Sequence, residues 1–404
     1  MFWKTTKKRI YLDYASATPV RKEIVESMMP FWHGDFGNAG AIHSEGVVVK
    51  NAIAHAREKL ARVLHVRPQG IVFTGSGTES NNLALIGAIQ ARHKAGVPYD
   101  DMEVISTAIE HASVLEVLKH LQELGVTVIY TALDEEGVIG TQSFKKSLTP
   151  KTVLVTCALV NSEIGTIQPI GKLARIVRAF EKEQGTTILV HVDGAQAPLW
   201  LSCALDSLGA DIISLDAGKC YGPKGVGVLA FKHGVQLTPH FFGGDQEGGL
   251  RPATENTALI VGAVEALCIA QMHFKEQRER ISTLRNVFIE ELEKIEGVVL
   301  NGSREERVAN NVNISLLGID SEFAVIVLDE KGIACATKSA CGGAKGDGSL
   351  VVQTISNDSS RATSTVRFSL GEATTKEELE YTVLILKEHI HKTRLSNAVF
   401  KKID

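Results

Sequence analysis

The stretch TILVHVDGAQ, residues 187–196, combines a run of β-forming residues with an acidic residue at its end. The run is apolar on both faces of the predicted strand, as a strand covered by helices on both sides of its sheet requires. Asp193 then follows at the carboxyl end of the strand. That edge is where open α/β sheets bind their ligands.

Similar β-rich runs occur elsewhere, at 71–75, 103–108, 126–132, 152–160, 211–216 and 225–231. Helical patterns lie between them, such as 52–64 and 112–124, where apolar residues recur with the spacing of one helix face. Strands that alternate with helices of this length predict parallel βα units. We therefore predict an α/β fold: a mostly parallel seven-stranded sheet between helices, plus a smaller α+β domain.

The pattern changes after about residue 258, where a long helical stretch leads into strand-like runs at 310–318, 332–337 and 364–370. A closing helix opens with a capping box formed by Thr375 and Glu378. We predict a large domain over residues 15–258. The small domain would combine residues 1–14 with 259–404.

The composition is that of an ordinary globular protein, with 404 residues, 44% hydrophobic content and a net charge of −4. No basic excess points to nucleic acid or an anionic membrane. Six cysteines without C-x-x-C spacing predict neither a disulfide framework nor a metal site. The N-terminus lacks the apolar core of a signal peptide, so we expect a cytoplasmic protein.

FTGSGTESNN, residues 73–82, predicts a strand that runs through a glycine turn into a helix. Free backbone N–H groups at such a helix start suit a phosphate. The stretch is neither a Walker A loop nor a dinucleotide fingerprint, because Ser80 stands at the third glycine position. A plain turn with Thr78 as the helix N-cap is the alternative.

Two further groups follow neighbouring strands. Asp193 is either a buried ligand-binding acid or the cap of the next helix, and Lys219 follows the strand 211–216. Lys224 competes formally with Lys219 but lies inside a Gly-Pro-Lys-Gly turn. An anion site, an acid and an amine after separate parallel strands are what pyridoxal 5′-phosphate (PLP) needs. The three together predict a PLP site.

The chain resembles the cysteine desulfurases, which are similar to class V aminotransferases of fold type I. The motifs that carry the resemblance occur in order over residues 10 to 390: YLDYASATPV, FGNAGAIH, TGSGTESNN, EHASV, VNSEIG, HVDGAQ, KCYGPKG, RPATEN, SAC and VRFSLG. It implies a homodimer that converts L-cysteine to alanine and an enzyme-bound persulfide. A protein would then accept the sulfur, for iron–sulfur cluster assembly or tRNA thiolation.

The resemblance assigns roles to residues in these motifs. Lys219 would form the Schiff base with PLP, Asp193 would pair with the pyridinium nitrogen, and His111 would stack on the ring and move protons. Further cofactor contacts fall on Gly77, Thr78, Asn161, Ser162, Gln196, Asp216 and, from the partner subunit, Thr254. Arg367 would clamp the substrate carboxylate, and Asn38 would also contact the substrate.

Cys341, in KSACGG, would be the nucleophile on a loop over about residues 338–360. Flanking glycines suit a thiol that must reach the substrate and then an acceptor. An ordinary cysteine with a pKa of ~8.5 is mostly protonated at neutral pH, so Lys338 and Lys345 are candidates for lowering it. The alternative is an incidental loop thiol, and Cys335 is predicted to be a packed small hydrophobe.

The chain departs from the family pattern beside the cofactor. Asp216-Ala217-Gly218-Lys219 replaces Ser-x-His-Lys, Ser162 replaces an asparagine, and Pro252 stiffens the loop that carries Thr254. An acid beside a phosphate predicts repulsion and reduced PLP affinity. Three alternatives follow: a selenocysteine lyase, another class V aminotransferase-like enzyme, and a catalytically weakened sulfur-transfer scaffold.

Overall fold

The structure is a computed structural model that describes residues 9–337 and 348–400, with backbone alone for 396–400. The strands are β1 Ile10–Tyr11, β2 Ile71–Thr74, β3 Glu103–Ser106, β4 Thr127–Tyr130, β5 Thr152–Ala158, β6 Leu189–Asp193, β7 Ile212–Asp216, β8 Gly227–Phe231, β9 Val298–Leu300, β10 Asn311–Leu316, β11 Ile333–Ala334 and β12 Thr365–Ser369. The helices are α1 Lys22–Met28, α2 Pro30–His33, α3 Ser44–Leu64, α4 Gly77–Lys94, α5 Ala112–Glu123, α6 Thr141–Ser147, α7 Ile170–Gln184, α8 Leu205–Leu208, α9 Thr257–Glu293, α10 Ser321–Glu330, α11 Leu350–Ser356, α12 Ser359–Thr363 and α13 Lys376–Phe400.

The large sheet has seven strands in the order β2-β8-β7-β6-β5-β3-β4. The pairs from β7 to β4 are parallel, whereas β8 runs antiparallel to both of its neighbours, β7 and β2. Each of the seven β-rich runs contains one of these strands, so the predicted mostly parallel sheet is confirmed.

Helices cover both faces of this sheet, and consecutive strand residues pack into different layers. In β7, Ile212 packs with α4 and α5, whereas Ile213 packs in the core that includes α3, α7 and α9. Val104 and Ile105 of β3 divide in the same way. Both faces of a strand covered by helices must be apolar, and this explains the unbroken hydrophobic runs of the sequence.

The strand order brings three chain segments to one edge of the sheet. β6 ends at Asp193 and β7 ends at Asp216 beside it. β2 runs in the same direction as β7, because β8 is antiparallel to both, and the chain then turns into α4 at Gly77. An acid, a second acid and a helix N-terminus therefore face the same space.

Helix α9 has 37 residues, a length of about 55 Å. Its length and composition would allow it to cross a membrane, but 56% of its most apolar window is buried inside the protein. It packs against α1 and α3 on one side and contacts α13 and β9 farther along. We interpret α9 as a core helix that links the two parts of the chain.

The remaining strands form two small sheets. β12, β10 and β9 make an antiparallel sheet, and β1 pairs in parallel with β11. Asp13, just after β1, bridges to Ser369 at the end of β12, so the N-terminal segment joins the C-terminal part of the chain. The capping box between Thr375 and Glu378 is present in both directions. The exact domain boundaries remain a prediction.

A buried arginine ties these small sheets to the large one. Arg307 is only 3% exposed and donates to the carbonyls of Ser303 and Asn301 on its own side. Across the junction, its Nη1 atom donates to the Ile164 carbonyl, in the turn after β5, at 2.8 Å. Burial lowers the pKa of Arg307 to about 9, yet the guanidinium remains charged at neutral pH.

Replacing Arg307 with lysine should therefore destabilise the protein by about 3 kcal/mol, because the ammonium cannot satisfy these separately placed buried carbonyls. Denaturant unfolding measures this loss. Arg304→Lys is the matched control, since Arg304 makes an exposed pair with Glu293 and should change stability by less than about 0.5 kcal/mol. Equal losses for the two variants would contradict the role of Arg307.

Candidate active site

A cavity opens at the edge of the sheet where β6 and β7 end, and most of the predicted site residues line it. They are Gly77, Thr78, His111, Asn161, Ser162, Asp193, Gln196, Asp216, Lys219 and Arg367. The cavity is also lined by Ala15 and Ser16 from the N-terminal segment and by Asn81 and Ser113. The topology thus gathers residues from six of the quoted motifs and the VRFSLG arginine into one place.

The geometry separates the two candidate lysines. Lys219 lies in a short 3₁₀ turn after β7, lines the cavity, and donates from Nζ to the Ser16 carbonyl at 2.6 Å. Lys224 instead donates to the Thr18 carbonyl and does not line this cavity. Lys219 is therefore the better placed of the two amines.

Asp193 is held as a hydrogen-bonded buried acid. Its Oδ2 atom accepts from the Asn81 side chain at 2.8 Å, and Oδ1 accepts from the Ala195 N–H at 3.0 Å. A turn follows the strand, so the alternative in which Asp193 caps a helix is wrong. The two donors fix the direction of the carboxylate in the cavity.

Asn81 also connects this acid to His111. Its amide nitrogen donates to Ser113 Oγ at 2.9 Å, and Ser113 Oγ lies 2.8 Å from His111 Nδ1. The Ser113 N–H donates to the same Nδ1 atom, so Nδ1 is an acceptor and the neutral ring carries its proton on Nε2. Asn81 and Ser113 were not predicted as site residues, although both lie inside motifs quoted for the resemblance.

Two buried titratable groups, Glu110 and His191, interact electrostatically with Asp193. Burial raises the pKa of Glu110 to about 8, against hydrogen bonds from Thr107 and Ala158 that favour its charged form. Burial likewise lowers the pKa of His191 to about 4, against the attraction of Asp193. Both groups are therefore mostly neutral at pH 7.

The start of α4 forms the anion end of the cavity. Ser76 is the N-cap, since its side chain accepts from the Glu79 N–H at 3.1 Å, so the alternative with Thr78 as the cap is wrong. The carboxylate of Asp216 lies at this end: it accepts from the Gly218 N–H at 2.9 Å and is next to Gly77. The acid that departs from the family pattern is thus next to the predicted phosphate position.

The N-terminal turn 13–16 holds three of the predicted side chains. The Ala15 carbonyl accepts from the Gln196 amide at 2.9 Å, and the Ser16 carbonyl accepts from Lys219. Asp13 and the Ser16 hydroxyl both accept from Nη2 of Arg367. Sequence reasoning missed Asp13 and Ser16, although an acid and a hydroxyl in the motif YLDYASATPV were a usable signal.

Arg367 is 2% exposed and lines the cavity. Its Nη1 atom donates to the Ser162 carbonyl at 2.9 Å, while Nε has no acceptor among the described residues. A buried N–H without a partner is costly, and an anionic ligand would satisfy it. The predicted carboxylate contact of Arg367 remains a prediction that this geometry permits.

The turn 161–165 links the cavity to the flanks of the segment that contains Cys341. The Asn161 side chain is committed to this turn, donating to the Ile109 carbonyl and accepting from two backbone N–H groups. Glu163 accepts from the buried Ser349 hydroxyl at 2.6 Å, and the backbone of Ala336 pairs with Arg367. Cys341 itself lies outside the described residues.

Thr254 and Asn38 are not brought to this cavity within one chain. They lie together in a second depression, lined also by Trp32, Phe36 and Asn256. Their predicted roles at the cofactor and substrate therefore require a second copy of the chain.

The residues of the cavity suit the PLP ring, because the Lys219 amine, the fixed Asp193 carboxylate and the His111 ring all line it. The phosphate end offers the helix N-terminus of α4, but it also holds the Asp216 carboxylate. A mostly parallel sheet, with a lysine after the end of one strand and an acid at the end of the next, is typical of the PLP-dependent enzymes of fold type I.

The chain belongs to the aminotransferase class-V family, whose model matches residues 10–382. It is 39% identical to the cysteine desulfurase IscS of Dictyoglomus turgidum, over 96% of both chains. Among solved structures it resembles a NifS-like protein, with a TM-score of 0.87, 32% identity and coverage of 95% and 100% of the two chains. It also resembles SspA in complex with cysteine, with a TM-score of 0.75, 32% identity and coverage of 90% and 99%.

Glu110 generates a prediction about stability and pH. Folding raises the pKa of Glu110 from 4.5 to about 8. The stability that the neutral carboxyl allows is fully present below pH 4.5 and is lost as the pH rises through about 8. Glu110→Gln removes this loss, so between these pH values the free energy of unfolding should shift in favour of the variant by at least about 1 kcal/mol. Denaturant unfolding across that range tests it.

Glu116→Gln, an exposed change on the next helix, is the control and should follow the wild-type pH curve. Parallel curves for wild type and Glu110→Gln would show that Glu110 is not the titrating group.

Proposed function

We propose that this chain is a PLP-dependent cysteine desulfurase. The observation that carries the proposal is the single cavity shared by Lys219, Asp193 and Arg367, in a chain whose full-length relatives bear that name. L-cysteine would lose its sulfur to the Cys341 thiol, giving L-alanine and a cysteine persulfide. The Sγ–Cβ bond breaks, an S–S bond forms, and the thiol proton balances the hydrogen gained by alanine.

The residues of the cavity have separate tasks in this scheme. Bound PLP supplies the electron sink for the substrate Cα. Lys219 Nζ takes the Cα proton, and the His111 ring, fixed by Ser113, donates or accepts a proton at Nε2. Asp193 would keep the cofactor nitrogen protonated, and Gln196 and Ser162 would contact the phenolic oxygen. Arg367 orients the substrate through its carboxylate.

The remaining cysteines support Cys341 as the nucleophile. Burial raises the pKa of each thiol in the described ranges 9–337 and 348–400: Cys157, Cys203, Cys220, Cys268 and Cys335. Cys335 packs against the core, as predicted, with a pKa of about 12. None of these five is poised as a thiolate at neutral pH.

We also propose a homodimer whose partner contributes Thr254 to the phosphate end and Asn38 to the substrate. The depression that holds these two residues supports this, because it is also lined by two exposed apolar side chains, Phe36 at 73% and Trp32 at 54% exposed. Large exposed apolar side chains that share one depression are typical of an interface. We propose a cytosolic location, with which the unpaired state of the five described cysteines agrees, and a protein as the sulfur acceptor.

The desulfurase proposal predicts three distinct behaviours for three variants. Wild type should bind PLP with a yellow colour, form alanine from L-cysteine and carry a persulfide at Cys341. Lys219→Ala should lose both the colour and roughly 10³-fold or more of the rate, whereas Lys224→Ala, the matched control, should keep the colour. Cys341→Ser should stay yellow and form no persulfide. Absorbance, alanine assay and mass spectrometry check the three.

The outcomes also separate the alternatives. Sulfide release by Cys341→Ser at the wild-type rate would contradict the assigned nucleophile. A higher rate with L-selenocysteine than with L-cysteine would favour a selenocysteine lyase. PLP binding without turnover of either substrate would favour the weakened scaffold.

The shared site predicts complementation between two defective chains. A mixed dimer of Lys219→Ala and Thr254→Ala chains contains one site with neither substitution, because each site takes Lys219 from one chain and Thr254 from the other. PLP occupancy and activity should therefore rise above those of both parent homodimers, toward half of wild type. Mixing without recovery would show that Thr254 does not act across subunits.

A further inference from the structure

Two departures from the family pattern, Asp216 and Gly218, are structurally coupled. The Asp216 carboxylate bonds to the Gly218 N–H at 2.9 Å, folding over the 3₁₀ turn that leads to Lys219. A Cβ atom at position 218 would lie 3.2 Å from Asp216 Oδ1 and 3.4 Å from Cγ of Lys224. The absence of a side chain at 218 therefore makes room for the acid.

The carboxylate that occupies this room faces the first turn of α4. It lies beside Gly77, where an added Cβ would be 3.2 Å from Asp216 Cβ and 3.4 Å from Asp216 Oδ2. The N–H groups at this helix start are the donors that the cofactor phosphate would require. Two anions cannot share them, because like charges in contact repel strongly.

We propose that Asp216 is a carboxylate stand-in for the PLP phosphate, and that it must take up a proton or leave the cradle when the cofactor binds. The proposal rests on the PLP dependence of the function proposed above. It makes the affinity for PLP depend on pH through the charge of Asp216.

The titratable and charged groups around Asp216 determine whether PLP binding takes up or releases a proton. Burial raises its pKa, Lys219 on the same turn lowers it, and Asp193 at the end of β6 raises it. The buried Cys220 thiol is neutral at pH 7, since its own pKa is raised. Lys224, which lies near Gly218, donates to the Thr18 carbonyl. Glu79, in the first turn of α4, is paired with Arg251. A phosphate adds negative charge, so the pKa of Asp216 rises further and binding consumes a proton.

The test compares PLP with pyridoxal, which lacks the phosphate, on wild type and Asp216→Asn. Both are titrated by the absorbance of the lysine-bound cofactor from about pH 6 to about pH 9. At the upper pH, Asp216→Asn should bind PLP about 10-fold or more tightly than wild type, and the two should converge as the pH falls. For pyridoxal the ratio should stay near one throughout.

Asp216→Ser is a second variant with the same expectation, because it keeps a hydrogen-bonding group without charge. Asp320→Asn is the matched control: it changes a capping carboxylate on α10 that accepts from the Phe323 N–H, and should leave PLP affinity unchanged. An equal gain for PLP and pyridoxal would mean that Asp216 acts through Lys219 alone, and no gain for PLP would mean that it does not occupy the phosphate position. Either result overturns the proposal.

A failure of the proposed function has a different signature. In that case neither wild type nor any Asp216 variant would take up PLP or pyridoxal at any pH, and the inference would fall with it.

Discussion

The hydrogen bond from Asn81 to Asp193 is the interaction on which the site depends. A buried carboxylate needs donors, and Asn81 provides one from α4 while Ala195 provides the other. Because Asn81 also holds Ser113, the same amide fixes the orientation of His111. The helix that carries Asn81 is also the helix whose first residues are predicted to bind the phosphate. The contact between Asn81 and Asp193 therefore fixes the acid relative to α4.

The N-terminal turn gives the cavity its second wall and couples it to the small sheets. Asp13 bridges to β12 and pairs with Arg367, while the backbone of Ala15 and Ser16 holds Gln196 and Lys219. The hydrogen-bonded partners are separated by 181 to 354 residues in the chain. A displacement of the small sheets would therefore move the turn 13–16, whose Ser16 carbonyl accepts from the Lys219 amine.

Much of this arrangement could be predicted from the sequence, because buried strands and strand-end polar residues are local patterns. The seven runs, the acid at 193 and the lysine at 219 are of this kind. Partners chosen by tertiary packing could not be predicted: Asn81 lies on a helix whose polar residues are individually unremarkable. The backbone carbonyls of Ala15 and Ser16 hold Gln196 and Lys219, and no side-chain pattern indicates such carbonyl contacts. The antiparallel course of β8 likewise depends on how the chain returns after the Gly-Pro-Lys-Gly turn. The direction of the Asp216 carboxylate depends on space at Gly218, which only the folded backbone reveals.

The close fit between positions 216 and 218 constrains the order in which such a pair can arise. With a side chain at 218, an acid at 216 meets a Cβ atom only 3.2 Å from its oxygen, so the carboxylate must shift by a few tenths of an ångström. A change to glycine at 218 before the acid arises at 216 avoids this contact. A histidine that returns to 218 while the acid is present would have to displace the carboxylate.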